Sequence, residues 1–222
     1  MSRAAIRVML VDDHAVVRAG FRHLIETAPD MEVVEEAASG EEACQRAPAV
    51  RPDVVVLDIS MPGIGGLEAI SRLGRVVPEA RVLVLTVHEA EPFPSLALER
   101  GASGYLTKRC APDELLTAVR EVARGRRYLA SDVARRIALG RVDGEAKRLA
   151  SLSPREFEVF SCLARGRSVN EIAASLNLSP KTVHVHRANM LHKLGVKTTA
   201  ELVQVAVRNG VLDVHDEAEP VR

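Results

Sequence analysis

Cysteine is scarce: the 222 residues hold only Cys44, Cys110 and Cys162, widely separated and without a Cys-x-x-Cys pair. That pattern excludes a disulfide framework and offers no zinc-binding spacing, so the three read as reduced thiols. Also missing is any apolar run approaching the roughly 18 residues needed to cross a bilayer. Residues 1–5 lack the long apolar segment of a signal peptide. The expectation is a cytoplasmic protein with no membrane insertion. No internal repeat or low-complexity stretch is present. With 47% hydrophobic and 27% charged residues, the composition excludes a mainly disordered or collagen-like chain. The length admits one large or two small domains.

Net charge is absent as well, but the zero hides an asymmetry. Residues 1–122 carry a balance of −6, whereas residues 148–212 carry +5. An acidic front and a basic back point to two domains with different partners, the basic one being a candidate for binding nucleic acid.

The first half alternates short apolar runs with amphipathic stretches. Residues 6–11, 32–37, 54–57, 82–85 and 104–106 read as five strands. Helical patterns fall between them near 14–28, 41–49, 66–76, 93–100 and 113–125. Strict alternation predicts an α/β fold with a doubly wound, five-stranded parallel sheet ending near Gly125. The second half reads as four helices. Ser153-Pro154-Arg155-Glu156 is a capping-box start, with Ser153 as N-cap and proline at the first helical position. Gly166 ends that helix, 168–176 forms a second, Ser179-Pro180 opens a third to about Leu194, and 199–209 forms a fourth. Part of the Arg-rich connection, 131–139, also has a helical pattern.

Ligands of doubly wound sheets collect outside the carboxyl ends of the strands. There the sequence places Asp12 and Asp13 after the first strand, Asp58 after the third, Thr86 after the fourth and Lys108 after the fifth. Three convergent carboxylates repel unless a cation compensates, and hard oxygen ligands in that number suit Mg²⁺. With Mg²⁺ and Lys108 screening charge, one carboxylate could attack phosphorus. Asp58 is the natural nucleophile, since Asp12 and Asp13 are better placed as a metal pair. Taken singly, each residue has a commonplace reading: a turn or N-cap aspartate, a solvated lysine, a strand-end threonine. The conjunction at four strand ends is what carries chemistry.

The motifs VDDH at 11–14, LDISMPGIGGLEAI at 57–70, LTVH at 85–88 and GASGYLTK at 101–108 resemble the receiver domain of bacterial two-component response regulators. The resemblance implies a flavodoxin-like fold and a phosphoryl group accepted on Asp58 from a histidine kinase. It also implies Mg²⁺ held by Asp12, Asp13, Asp58 and the Ser60 carbonyl, and a switch pair of Thr86 and Tyr105. Such a chain phosphorylates itself but is not an enzyme acting on other substrates. In one departure from many receivers, Arg109 rather than proline follows Lys108.

Residues 168–187 (SVNEIAASLNLSPKTVHVHR) fit a helix-turn-helix. Ile172, Leu176, Leu178 and Val183 form its buried set, Ala173 is small at the crossing, and Asn177 suits a positive φ in the turn. His186 falls on the inner face with Met190 and Leu194. Lys181, Thr182, His184, Val185 and Ala188 fall on the opposite face, and Arg187 lies at the margin, so a helix entering the major groove would present these to DNA. An ordinary bundle with solvating lysines and arginines is the plain alternative. Residues 152–196 resemble the LuxR-type output domain of NarL/FixJ regulators, and 108–115 with 179–189 resemble the regulator of hexose-phosphate uptake within that family. The resemblance implies sequence-specific binding to promoter DNA, transcription control and a homodimer when phosphorylated. It divides the chain into a receiver at 1–125, a linker at 126–147, a helix-turn-helix domain at 148–213 and an acidic tail at 214–222.

Two other readings remain open from sequence. A phosphatase with an aspartate nucleophile usually carries it after the first strand with a second Asp two residues on, a spacing that Asp12-Asp13 lacks. A ligand-sensing LuxR-type regulator would need an apolar cavity in its front domain.

Overall fold

The computed structural model describes residues 5–61, 63–88, 92–138, 148–149, 151–176, 178–209 and 211–212. They fall into two compact units, one within residues 5–138 and the other within 148–212. The linker from 139 to 147, Asn177 and the acidic tail lie outside the described residues.

In the first unit β1 (Ile6–Val11), β2 (Met31–Ala37), β3 (Val54–Leu57), β4 (Arg81–Thr86) and β5 (Gly104–Thr107) alternate with α1 (Ala15–Glu26), α2 (Gly40–Val50), α3 (Gly65–Val76), α4 (Phe93–Glu99) and α5 (Pro112–Ala123). All strand pairs are parallel. Short apolar runs such as VVVL in β3 are buried on both faces, as a sheet covered by helices on each side requires. With a short β6 (Tyr128–Leu129) at one edge, the strand order β2-β1-β3-β4-β5-β6 reverses direction between β1 and β3. That switch point opens a crevice at the carboxyl edge, where Asp12, Asp13 and Asp58 emerge from adjacent strands.

The sheet has six strands, not the five expected. Residues Tyr128–Leu129 form β6, pairing with Gly104 and Tyr105 of β5. Two residues are too short for periodicity to register. The pairing depends on Gly104, where a Cβ would lie 2.7 Å from Leu83 Cδ1 and 2.9 Å from the Tyr128 carbonyl oxygen. Helix α6 (Ser131–Ala138) follows, so the first part of the expected linker is built onto the first unit, with Val133 fully buried.

The second unit contains α7 (Pro154–Ala164), α8 (Val169–Ser175), α9 (Pro180–Leu194) and α10 (Thr199–Arg208). Its helix starts are written locally. Ser153 with Glu156, Ser168 with Glu171, and Thr198 with Glu201 each form a reciprocal capping box. Ser179 caps α9 by accepting the Thr182 amide. Phe160, Ile172, Val183, Met190, Leu202 and Val205 make the core. Leu178, expected among the buried set, is half-buried.

Gly66 sets where α3 can sit. A Cβ there would collide with backbone: Asp58 C lies at 3.0 Å, and the Asp58 carbonyl oxygen and Ile59 Cα are closer still. Backbone cannot swing aside as a flexible side chain does. Gly66→Ala is expected to destabilise the chain by about 1–3 kcal/mol through overpacking, measured as a lower urea midpoint at unchanged slope.

Candidate functional site

Asp12 and Asp58 are 5% and 2% exposed. Each gives one carboxylate oxygen to the same ammonium: Lys108 Nζ is 2.6 Å from Asp12 Oδ2 and 2.6 Å from Asp58 Oδ2. Each uses the other oxygen on a backbone amide two residues ahead. His14 N–H donates to Asp12 Oδ1 at 2.8 Å, and Ser60 N–H donates to Asp58 Oδ1 at 3.0 Å. The commonplace turn role of a strand-end aspartate is therefore present together with the charge cluster. Arg18, which the sequence reading missed, donates to the Asp12 carbonyl at 2.5 Å and to Glu36 at 2.9 Å, bracing the β1–α1 turn.

Asp13 differs from its neighbours. Its Oδ1 is buried and has no hydrogen-bond partner. The His14 ring stands beside that oxygen, with Nδ1 at 3.0 Å. Burial pushes the Asp13 carboxyl above its ordinary value, His14 and a backbone hydrogen bond oppose the rise, and the charges of Asp58 and Asp12 add to it. Burial alone would lower the Lys108 ammonium, but the two carboxylates outweigh that and hold it above the ordinary lysine range. One ligand atom from each of Asp12, Asp13, His14 and Asp58 lies within 4.8 Å of the others.

Thr86 is fully buried. Its Oγ1 lies 3.4 Å from Ser60 Oγ and accepts the His88 amide at 3.4 Å. Ser60 meets Asp58 through its amide and Thr86 through its hydroxyl. Tyr105 is also fully buried, and its hydroxyl donates to the His88 carbonyl at 2.7 Å. Packing accounts for it, because β5 is buried along its whole length and the His88 carbonyl satisfies the hydroxyl.

In the second unit α9 turns Val183, Met190 and Leu194 inward. Lys181, His184 and Val185 are exposed, Val185 by 52%. Thr182 is half-buried, its hydroxyl 2.8 Å from Ser179 Oγ, and half-buried Arg187 reaches Thr199 Oγ1 at 3.5 Å. His186 is half-buried on the inner side as expected. The orientation of α9 is fixed by a pair that sequence reasoning did not find: Lys193 Nζ donates to Glu156 Oε2 at 2.6 Å and to the Ser151 carbonyl at 3.1 Å. Burial would raise the Glu156 carboxyl, but Lys193 and Ser153 together hold it below its usual range.

The family models match both units. Residues 8–120 match the response regulator receiver domain, and residues 150–206 match the luxR family of bacterial regulatory proteins. The chain belongs to the response regulators with a luxR-type output domain. It is 44% identical over 208 residues to response regulator UvrY of Escherichia coli K12, covering 93% of this chain and 95% of that protein. It is 47% identical over 199 residues to the transcriptional regulatory protein UhpA of the same strain, covering 90% and 96%. Likeness at 108–115 and 179–189 thus sits within similarity spread over several members. Among solved structures, RcsB from Salmonella enterica serovar Typhimurium, bound to promoter P1flhDC in the presence of the phosphomimetic BeF₃⁻, is 29% identical with a TM-score of 0.72. That likeness covers 91% of this chain and 98% of that one. A response regulator is not an enzyme in the usual sense, and no helix among the described residues is long and apolar enough to cross a membrane.

The raised Asp13 carboxyl has a sign. In metal-free buffer its ionisation costs stability once the pH exceeds the unfolded value near ~3.9, because the native state holds the proton more tightly than the unfolded one. Asp13→Asn is therefore expected to melt above the parent at neutral pH. The difference should shrink as pH falls toward that value, followed by circular dichroism in chelator-containing buffers.

Proposed function

We propose that this response regulator accepts a phosphoryl group on Asp58 from a histidine kinase and so controls its own binding to promoter DNA. The observation that carries the reading is the sharing of Lys108 by Asp12 and Asp58 at the switch point of the sheet, beside a carboxylate with capacity to spare. The Lys108 ammonium pairs with Asp58 at 2.6 Å and holds it in place. A carboxylate oxygen of Asp58 forms a bond to phosphorus as the donor's phosphorus–nitrogen bond breaks and its imidazole leaves. The Lys108 ammonium is then within reach of the phosphoryl oxygens, and the Thr86 hydroxyl is available to donate to them.

The pocket fits Mg²⁺. Three carboxylates provide hard oxygen donors, and Asp13 Oδ1, buried without a hydrogen bond, is the oxygen best suited to a cation. Asp12, Asp13 and Asp58 would hold the ion, with the Ser60 carbonyl as a further donor. Bound there, Mg²⁺ supplies charge neutralisation for the phosphoryl oxygens.

For the output domain, exposed Lys181, His184 and Val185 are the inner contacts of a recognition helix, with Thr182 and Arg187 at its margins. Lys181 in the first turn of α9 adds its charge to the positive end of the helix dipole, where phosphate oxygens bind. The phosphorylated chain acts as a cytoplasmic homodimer reading two half-sites. The boundaries that serve this reading are a receiver at 1–125, a connection over 126–147 whose first part carries β6 and α6, and a helix-turn-helix domain at 148–213.

Intact mass after incubation with acetyl phosphate and Mg²⁺ tests the acceptor. The parent gains one phosphoryl group and Asp58→Asn gains none; a gain that persists in the variant would overturn the assignment. For DNA, the probe is a duplex selected by the phosphorylated parent from a random pool, with a scrambled duplex beside it. Lys181→Ala is expected to weaken both and make the salt slope shallower by about one unit. His184→Ala is expected to cost about 1–3 kcal/mol on the selected duplex and much less on the scrambled one. Fluorescence anisotropy titrations at several salt concentrations separate the two.

A further inference from the structure

His88 stands two residues beyond Thr86, and three of its groups reach three different parts of the receiver. Its amide donates to Thr86 Oγ1 at 3.4 Å. Its carbonyl accepts the Tyr105 hydroxyl at 2.7 Å. Its imidazole lies flat on Phe93, the first residue of α4, with ring centroids 4.2 Å apart and planes 12° from parallel. Thr86 and Tyr105 are fully buried and Phe93 is 3% exposed, so all three partners are packed in place. Helix α4 in turn packs against β5 and α6. In chain order α6 is the last described element before the second unit.

A hydroxyl that turns toward a phosphoryl oxygen on Asp58 must loosen the hold of Thr86 on the His88 amide. Backbone displacement at His88 moves the acceptor of the Tyr105 hydroxyl and the ring beneath Phe93 together, because all three belong to one residue. Packed interiors respond to such shifts by moving between discrete arrangements, not by deforming smoothly. We propose that His88 is the positioning residue that couples the phosphoacceptor pocket to α4 and, through α4, to α6, with its stack on Phe93 as the joint. This inference rests on phosphorylation of Asp58 and adds the route by which that event leaves the pocket.

The test uses the full chain as parent, His88→Ala, His88→Phe and Phe93→Leu, each with acetyl phosphate and Mg²⁺. Intact mass reports phosphorylation. Hydrogen exchange followed by peptide mass spectrometry reports protection in 93–99 and 131–138 before and after. In the parent, phosphorylation is expected to change protection in both peptides. In His88→Ala and Phe93→Leu the same phosphoryl occupancy is expected, with the change in both peptides reduced at least about fivefold, the lower end of typical coupling. His88→Phe keeps a ring on Phe93 and is expected to restore the response, which general loosening of the loop would not allow. Full transmission in His88→Ala, or failure of His88→Phe to restore it at equal occupancy, would overturn the coupling role alone. A parent that takes no phosphoryl group on Asp58 would overturn the proposed function and the coupling with it.

Discussion

Two buried carboxylates leaning on one ammonium form the constraint around which the receiver is arranged. Without Lys108, Asp12 and Asp58 would face each other and Asp13 at close range with no ammonium between them. With it, each gives one oxygen to the ammonium and directs its second oxygen to the amide two residues along. The same electrostatic arrangement therefore shapes two turns, one leading into α1 and the other toward α3. Gly66 belongs to this constraint, since α3 can begin so near Asp58 only where a side chain is missing.

The elements were legible because the signals were local or periodic. Runs such as IRVMLV and VVVL are too short for helices, and Ser-Pro-x-Glu and Ser-Pro mark helix starts with little ambiguity. The pocket was legible because the topology sends every parallel strand's carboxyl end to one edge, so reading the residue after each strand assembled Asp12, Asp13, Asp58, Thr86 and Lys108. Contacts between residues distant in sequence were not legible. Strand β6 depends on a neighbour 24 residues earlier. Lys193 reaches Glu156 from the far end of another helix. His88 holds its partners largely through backbone groups that no residue type announces. The buried position of Tyr105 likewise follows from how β5 is covered, not from its place in a motif.

The two units place their chemistry at opposite extremes of exposure. Asp58 and Thr86 are buried, where low dielectric strengthens each charge and hydrogen bond. Lys181, His184 and Val185, the DNA contacts proposed on α9, are exposed, where long-range attraction and salt dependence dominate. An acidic unit and a basic unit on one chain thus divide the work between a small anionic group handled at close range and a polyanion met in solution.

The capping boxes of the second unit carry a consequence for time as well as for shape. Each closes within four residues, and the helices they start are joined by short turns, so each helix start is specified by residues beside it in sequence even though α7 packs chiefly on α9 and α10. Chains of low contact order fold in microseconds to milliseconds, while mixed parallel sheets are slower because distant strands must meet before any pairing is rewarded. After denaturation or during synthesis, the output helices reach their native arrangement on their own clock, whereas the receiver must first bring β1, β3 and β5 together. The helix starts of the output unit are thus set by neighbouring residues, whereas the sheet of the receiver waits on distant ones.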